Sequence, residues 1–369
     1  MPIREKSFRI GCGRYLQEAG ILATLGAEVC RLGTSALIVG GKTALSITSD
    51  TIKTSLDGAS VRYRIAEHRG TCNDEDAQTL AALAKKEGYD VIVGVGGGVI
   101  MDFSKMVAHF ADAPLINVPT SAATCAAYTP LSVRYTKEGR TVGSYHHERE
   151  VDAVLCDTAI LVNQPPRLLL AGVFDAMAKF LEIKQRFDEE ATDNPIGLDY
   201  AYALAKHSYR ELTRKTEAAL ADMRDGRIGD AFEQVVFTSI AATGVISGIA
   251  RGSNQCALAH KFYEITRVLF NAEAREFLHG EIVGVGLLLQ NHFNGECDEN
   301  DELLAVMKRY AMPASARGVG VRCDEESFAA YYERLVNSSA IDKSNEDERA
   351  RLNASLRSLW EMGVKYHEM

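Results

Sequence analysis

The feature that most constrains this chain is a change of texture at Asn163-Gln164-Pro165-Pro166. Before it, from Phe8 to about Asp157, short β-rich runs alternate with helical ones; after it, β-branched runs nearly vanish and Ala/Leu/Glu-rich stretches at helical spacing continue to the end. Residues 36–40, 61–65, 90–93, 115–118 and 153–157 read as buried strands. Asn73-Asp74-Glu75-Asp76 places acids at the start of a helix whose apolar positions Leu80, Leu83 and Ala84 lead to a stop at Gly88. Such alternation implies a parallel, doubly wound sheet. Residues 131–135 and 140–145, separated by Thr136-Lys137-Glu138-Gly139, read as a β-hairpin appended to it. Past the prolines, helices are expected over 167–186, 198–217, 228–245, 255–270, 281–292, 302–310, 325–336 and 345–360. The expected fold class is thus an α/β N-terminal domain, 1–164, followed by an all-α C-terminal domain, 165–369.

At 369 residues the chain exceeds one ordinary hydrophobic core, which agrees with two domains. Its 46% apolar and 25% charged residues are globular proportions, so no segment is expected to be disordered. A net charge of −9 without any Lys/Arg block argues against nucleic acid as a partner. The opening Met-Pro-Ile-Arg-Glu-Lys lacks the apolar core of a signal peptide. No run comes near the ~20 apolar residues that span a bilayer, so a cytoplasmic protein is expected. Eight cysteines from Cys12 to Cys323 contain no Cys-x-x-Cys pair and are expected to be mostly buried thiols in a reducing compartment.

Two local patterns invite a phosphate. Val91-Ile92-Val93 runs into Gly94-Val95-Gly96-Gly97-Gly98 and then a helical stretch from Met101 to Ala111. Glycines at such a turn let backbone N–H groups approach an anion, which a helix N-terminus also favours. The standard Gly-x-Gly-x-x-Gly fingerprint fails, because Val99 stands where its last glycine belongs. Pyrophosphate binding and a plain tight turn both remain open on these residues. Gly41-Lys42-Thr43 resembles the end of a P-loop, but Ala36 replaces the required earlier glycine, and a turn after a strand is the better reading.

The helical half holds buried-looking polar residues. Asp175 stands in Leu168-Leu169-Leu170-Ala171-Gly172-Val173-Phe174-Asp175-Ala176-Met177-Ala178, where an ionised carboxylate requires a cation or a set of donors. His260 follows Cys256-Ala257-Leu258-Ala259, and His279 precedes Gly280 at the head of another apolar helix. One Asp and two His could hold a divalent metal with room for substrate. They could equally be satisfied core residues, since spacings of 85 and 19 carry no local signature. Lys179, one turn after Asp175, is either an i,i+4 ion-pair partner or an anchor for an anionic substrate group.

Together these residues resemble the iron-containing alcohol dehydrogenase superfamily, within its glycerol dehydrogenase-like branch. The resemblance rests on Gly94-Val95-Gly96-Gly97-Gly98 with Asp102, on Pro119-Thr120-Ser121-Ala122-Ala123-Thr124 through Pro130-Leu131-Ser132-Val133, on Asp175 with its helix, and on His260 followed by His279-Gly280. It covers nearly the whole chain in order. The runs Ala122-Ala123-Thr124-Cys125-Ala126-Ala127 and Leu169-Leu170-Ala171-Gly172 are closest to hydroxycarboxylate dehydrogenase members. The resemblance implies a dehydroquinate synthase-like fold and a cofactor site at Gly96, Gly97, Gly98 and Asp102, with Thr120, Ser121, Thr124, Leu131 and Tyr135 at the nicotinamide end. It makes Asp175, His260 and His279 ligands of one divalent metal ion. Lys179 replaces a frequent fourth histidine ligand, which favours zinc over iron. Gly41 stands where NAD-preferring members often carry an acid, and with Lys42 beside it NADP becomes as acceptable as NAD.

Three departures shape the expected pocket. Phe174 replaces a frequent glycine, Tyr263 replaces a frequent histidine, and Cys125 stands where glycerol dehydrogenases have a polyol-binding aspartate. Cys125 is either a small packing residue or a substrate contact. Losing that acid while holding Lys179 suits a carboxylate better than glycerol. The expected function is metal-dependent, NAD(P)-linked interconversion of a small 2-oxo acid and its 2-hydroxy form. The alternatives are a glycerol or other polyol dehydrogenase and, from another class, a dehydroquinate synthase-like lyase. The expected partners are a small-molecule substrate and further copies of the chain in a homo-oligomer, with no membrane.

Overall fold

The computed structural model describes residues 8, 10–191, 193–250 and 255–365. The hexapeptide read for a signal sequence lies outside them. Contacts gather the chain into two compact units.

The first unit comprises 10–169 and 215–245. Its strands are β1 (Tyr15–Glu18), β2 (Ser35–Gly40), β3 (Arg62–Glu67), β4 (Val91–Gly96), β5 (Leu115–Pro119), β6 (Leu131–Tyr135), β7 (Thr141–His146) and β8 (Ala153–Asp157). Six of them form one sheet in the order β1-β8-β5-β4-β2-β3, with every pairing parallel. The inner four are buried along their whole length, because helices cover both faces of a doubly wound sheet. The helices of this part are α1 (Leu25–Cys30), α2 (Lys42–Gly58), α3 (Asp74–Glu87), α4 (Gly98–Ala111) and the short α5 (Thr158–Leu161). Leu22, Leu25, Ile52 and Leu56 pack with Ile38, Val93, Val118 and Leu155 in its core. As the acids at 74–76 and the glycine at 88 imply, α3 is capped by Asn73, whose side chain accepts the Asp76 N–H, and stops at left-handed Gly88.

The second unit takes 170–214 and 246 onward. Across the helical part of the chain run α6 (Pro166–Lys184), α7 (Ile196–Arg224), α8 (Asp230–Phe237), α9 (Thr243–Ala250), α10 (Leu258–Leu269), α11 (His279–Asn294), α12 (Glu299–Arg309), α13 (Glu325–Val336) and α14 (Glu346–Lys365). The fold class is therefore a six-stranded parallel sheet in the N-terminal half with a helical C-terminal part.

Several expectations need correction. The first strand, β1, escaped the sequence pattern because it is four residues long, polar and only partly buried at the sheet edge. The hairpin β6–β7 is antiparallel but forms its own two-stranded sheet, with an irregularity between Arg134 and Tyr135. The helix expected over 228–245 contains a π turn, Thr238–Ala242, where the Thr243 hydroxyl donates to the Thr238 carbonyl at 2.7 Å. Residues 215–245 also pack with the sheet: the Gln17 amide donates to the Glu233 carbonyl at 2.8 Å and Tyr15 meets Phe237 edge-on. Asp230–Ala250 is long and apolar enough to cross a membrane by length and composition alone, although no such run was expected; 61% of its apolar window is buried in the fold, as in a core helix. Of the eight cysteines only Cys72 and Cys156 are buried, because scattered cysteines carry no periodic signal of which face they occupy.

A three-helix donor cluster and a glycine loop

Asp175 on α6, His260 on α10 and His279 on α11 converge, with one ligand atom from each lying within 4.8 Å of the others. Asp175 Oδ1 is 3.2 Å from His260 Nε2 and 3.3 Å from His279 Nε2. Donors on ~2.0–2.1 Å bonds in a tetrahedron stand about 3.3 Å apart, so the set fits a zinc-sized cation. Asp175 and His260 are buried, and His279 is partly exposed, leaving an approach from one side.

Small residues make this convergence possible. A Cβ on Gly280 would lie 1.8 Å from the Ala171 carbonyl oxygen, so α11 starts against α6 at a distance no other residue permits. A Cβ on Gly286 would meet the Ala259 carbonyl at 2.6 Å, which sets α11 equally close to α10. Burial disfavours charge on Asp175, yet His279, His260 and the Lys179 ammonium outweigh it and hold its carboxyl well below the usual range. At His260 burial opposes the charged ring, but Cys256, Glu182 and the bond to Asp175 raise its pKa well above the usual imidazole value. The cluster thus attracts positive charge strongly enough to overcome desolvation.

Lys179 is buried, with its Nζ 3.4 Å from Gln255 Oε1 and 4.0 Å from Cys256 Sγ. Tyr263, where the family often has a histidine, sets its ring edge-on to His279 at 4.2 Å. Sequence reasoning missed Glu182. This fully buried carboxylate accepts the N–H groups of Ala257 and His260 at 2.8 Å each, and the Nδ1–H of His260 at 2.5 Å. A signal existed: Glu182 lies two turns beyond Asp175 on the same buried helix, so the argument about buried carboxylates applies to it equally.

The glycine loop stands in the sheet unit. Gly97 caps α4 in an extended conformation without contributing a side chain, so the helix N-terminus opens directly from the end of β4. Cβ atoms on Gly97 and Gly98 would sit 3.2 Å from Ser121 Oγ and Thr124 Oγ1, which brings the 120–124 segment onto the loop. Thr120 N–H donates to the Gly96 carbonyl at 2.9 Å. Gly41 caps α2 beside them, its N–H donating to the Val95 carbonyl and its Cβ position facing Ile100. Backbone donors, hydroxyls and a helix N-terminus compose a cradle that a pyrophosphate fits.

The remaining expected contacts are less direct. Asp102 turns inward, where its carboxylate pairs with Lys105 at 2.9 Å and accepts the Val133 N–H at 3.1 Å. The carbonyl of Cys125 accepts the N–H groups of Tyr128 and Thr129. Leu131 begins β6, and its carbonyl accepts from Lys105; Tyr135 ends the strand, its N–H donating to the Cys72 carbonyl. Lys105, unremarked in the sequence, is the buried organiser here, because it also donates to the carbonyls of Ala126 (2.8 Å) and Thr129 (3.0 Å). Gln164, read only as part of a boundary, accepts the Ala122 N–H at 2.9 Å and steadies the 120–124 segment.

The profile of the iron-containing alcohol dehydrogenase family matches residues 12–158. A glycerol dehydrogenase of Pseudomonas putida is 34% identical over 294 residues, 78% of this chain and 79% of that protein. Hydroxycarboxylate dehydrogenase A of Escherichia coli K12 is also 34% identical, over 253 residues and 67% of each chain. The crystal structure of a probable glycerol dehydrogenase from Sinorhizobium meliloti 1021 shares the fold, with a TM-score of 0.80 at 24% identity over 98% of this chain and 99% of that one.

Proposed function

The chain belongs to the iron-containing alcohol dehydrogenase family and is an oxidoreductase acting on CH–OH groups; from that premise we propose that it interconverts a small 2-hydroxy acid and its 2-oxo form, with NAD or NADP and one divalent ion. The observation that carries the metal part is the convergence of Asp175, His260 and His279 at ligand-to-ligand distances. These three residues would hold the ion, zinc in preference to iron, and a divalent ion there supplies Lewis acidity toward an alcohol or carbonyl oxygen. The glycine cradle at Gly96, Gly97 and Gly98, with Ser121 and Thr124 against it, would bind the dinucleotide, whose nicotinamide exchanges the hydride. In this division of labour the α/β domain carries the cofactor and the helical domain the ion.

The acid substrate is supported by Lys179, a buried ammonium on the face of α6 that also bears Asp175. It would hold a carboxylate by a charge-assisted hydrogen bond and orient the neighbouring carbon. Cys125 supplies no competing anion, in contrast to the aspartate expected in a polyol enzyme. Two relatives in different substrate classes, at equal identity, keep a polyol substrate as the second reading. A cytoplasmic homo-oligomer completes the proposal.

The test is a substrate screen of metal-loaded protein with 2-oxo acids, aldehydes and polyols and both cofactors. In Lys179→Met, KM for the acid should rise about 10–100-fold, the equivalent of a lost charged hydrogen bond of ~1.5–3 kcal/mol. Turnover of polyols alone would replace the acid by the second reading.

A further inference from the structure

Glu182 is the one fully buried carboxylate among the described residues that touches both the main chain and the side chain of His260. Its helix, α6, is not the helix it serves. At the N-terminus of α10 the capping position is Ala257, which has no side-chain acceptor of its own. Glu182 Oε1 takes two of the N–H groups that a helix start leaves without partners, those of Ala257 and His260. The N–H of Leu258 goes instead to Gln290 Oε1 at 2.9 Å. Two residues from other helices therefore cap α10, but only one of them also reaches the imidazole.

That second contact determines which ring nitrogen carries the proton. An ionised carboxylate only accepts hydrogen bonds, so His260 presents Nδ1–H to Glu182 Oε2, and Nε2, which faces the Asp175 carboxylate, is the nitrogen whose proton a metal ion would displace. We propose that Glu182 is a positioning residue of the metal centre, which fixes the place of His260 through the backbone of α10 and its metal-competent tautomer through Nδ1. The inference rests on the metal assignment of Asp175, His260 and His279 made above.

Glu182→Gln separates the two roles. The amide keeps the shape and one carbonyl acceptor for the α10 N–H groups, but its NH2 group donates where Oε2 accepted. Nδ1 must then accept, so the proton that a neutral ring keeps sits on Nε2, where it blocks ligation. Gln290→Leu is the structural control, since it uncaps the same helix end without touching the ring.

The experiment is zinc titration of the full chain against a competing chelator, with unfolding midpoints recorded in the absence of metal. The expected result is zinc binding by the native protein, its loss in His260→Ala, and an affinity about 10–100-fold weaker in Glu182→Gln. Gln290→Leu should lower the midpoint and leave zinc affinity near native. Native affinity in Glu182→Gln, or an equal loss in Gln290→Leu, overturns the positioning role while leaving the metal site standing. Equal binding by the native protein and His260→Ala removes the metal assignment and this inference with it. Should Glu182→Gln not fold, nitrogen-15 spectra of the zinc-loaded native protein decide the matter: a His260 ring protonated at Nδ1 supports the inference, and one protonated at Nε2 overturns it.

Discussion

The glycine loop and the donor cluster solve opposite construction problems. The loop is made of main chain: the end of β4, Gly97 and the first turn of α4 form it, and side chains contribute mostly by being absent. The cluster is made of side chains from three helices, with spacings of 85 and then 19 positions between its members. A backbone site tolerates changes around it as long as the turn survives. A side-chain site depends on every helix that must approach, which is why Gly280 against Ala171 matters as much as any of the three donors.

The sharpest way to break the comparison is His279→Ala. It removes a proposed ligand from the partly exposed start of α11, so metal retention and turnover should vanish, while the metal-free unfolding midpoint should fall only through loss of the charge that His279 sets against buried Asp175. Metal content by mass spectrometry alongside activity reads both. Next in size is Lys105→Met, which should behave in reverse. It removes the charged partner of buried Asp102 and a donor to three carbonyls, a loss of roughly 3–5 kcal/mol in denaturant titration, while leaving metal affinity intact. Gly98→Ala should do less: its Cβ would meet Thr124 Oγ1 at 3.2 Å, so cofactor KM rises by roughly tenfold or less, a cost under ~1.4 kcal/mol, with the fold unaffected.

The smallest effect concerns a helix end remote from chemistry. Asp324 caps α13, and the Ser327 N–H holds its carboxyl below the usual range. A folded pKa below the unfolded one contributes stability above the unfolded value, 3.8, and that contribution disappears as pH falls through the lower, folded value. Asp324→Ala should therefore melt slightly below the native protein at neutral pH, and the gap should shrink in acid.

What the chain disclosed in advance follows the same division. The glycine loop, α3 with its cap and stop, and the four buried strands were legible because turn chemistry, capping and apolar runs act over a few residues. Read singly, the members of the donor cluster were three suspicious polar residues in apolar helices, and only the family resemblance joined them; nothing between Asp175 and His260 encodes the packing that unites them. Glu182 and Lys105 could have been suspected on the same ground, as charges set in apolar helices. The strand Tyr15-Leu16-Gln17-Glu18 and the π turn could not, since edge pairing and an inserted residue are decided by tertiary contacts.

The pairing of β1 with β8 carries a consequence for synthesis. Tyr15 lies beside Val154, and the Asp157 carboxylate accepts the N–H groups of Gly20 and Leu22 across a similar span. At ribosomal speeds of ~5–20 residues per second, the N-terminal strand waits on the order of 10 s for its neighbour to emerge. During that interval the partner edge of β5 is also open, and a nascent chain bearing an unpaired parallel edge is a substrate for chaperones. The last strand of the sheet to be translated is therefore the one that closes both gaps at once.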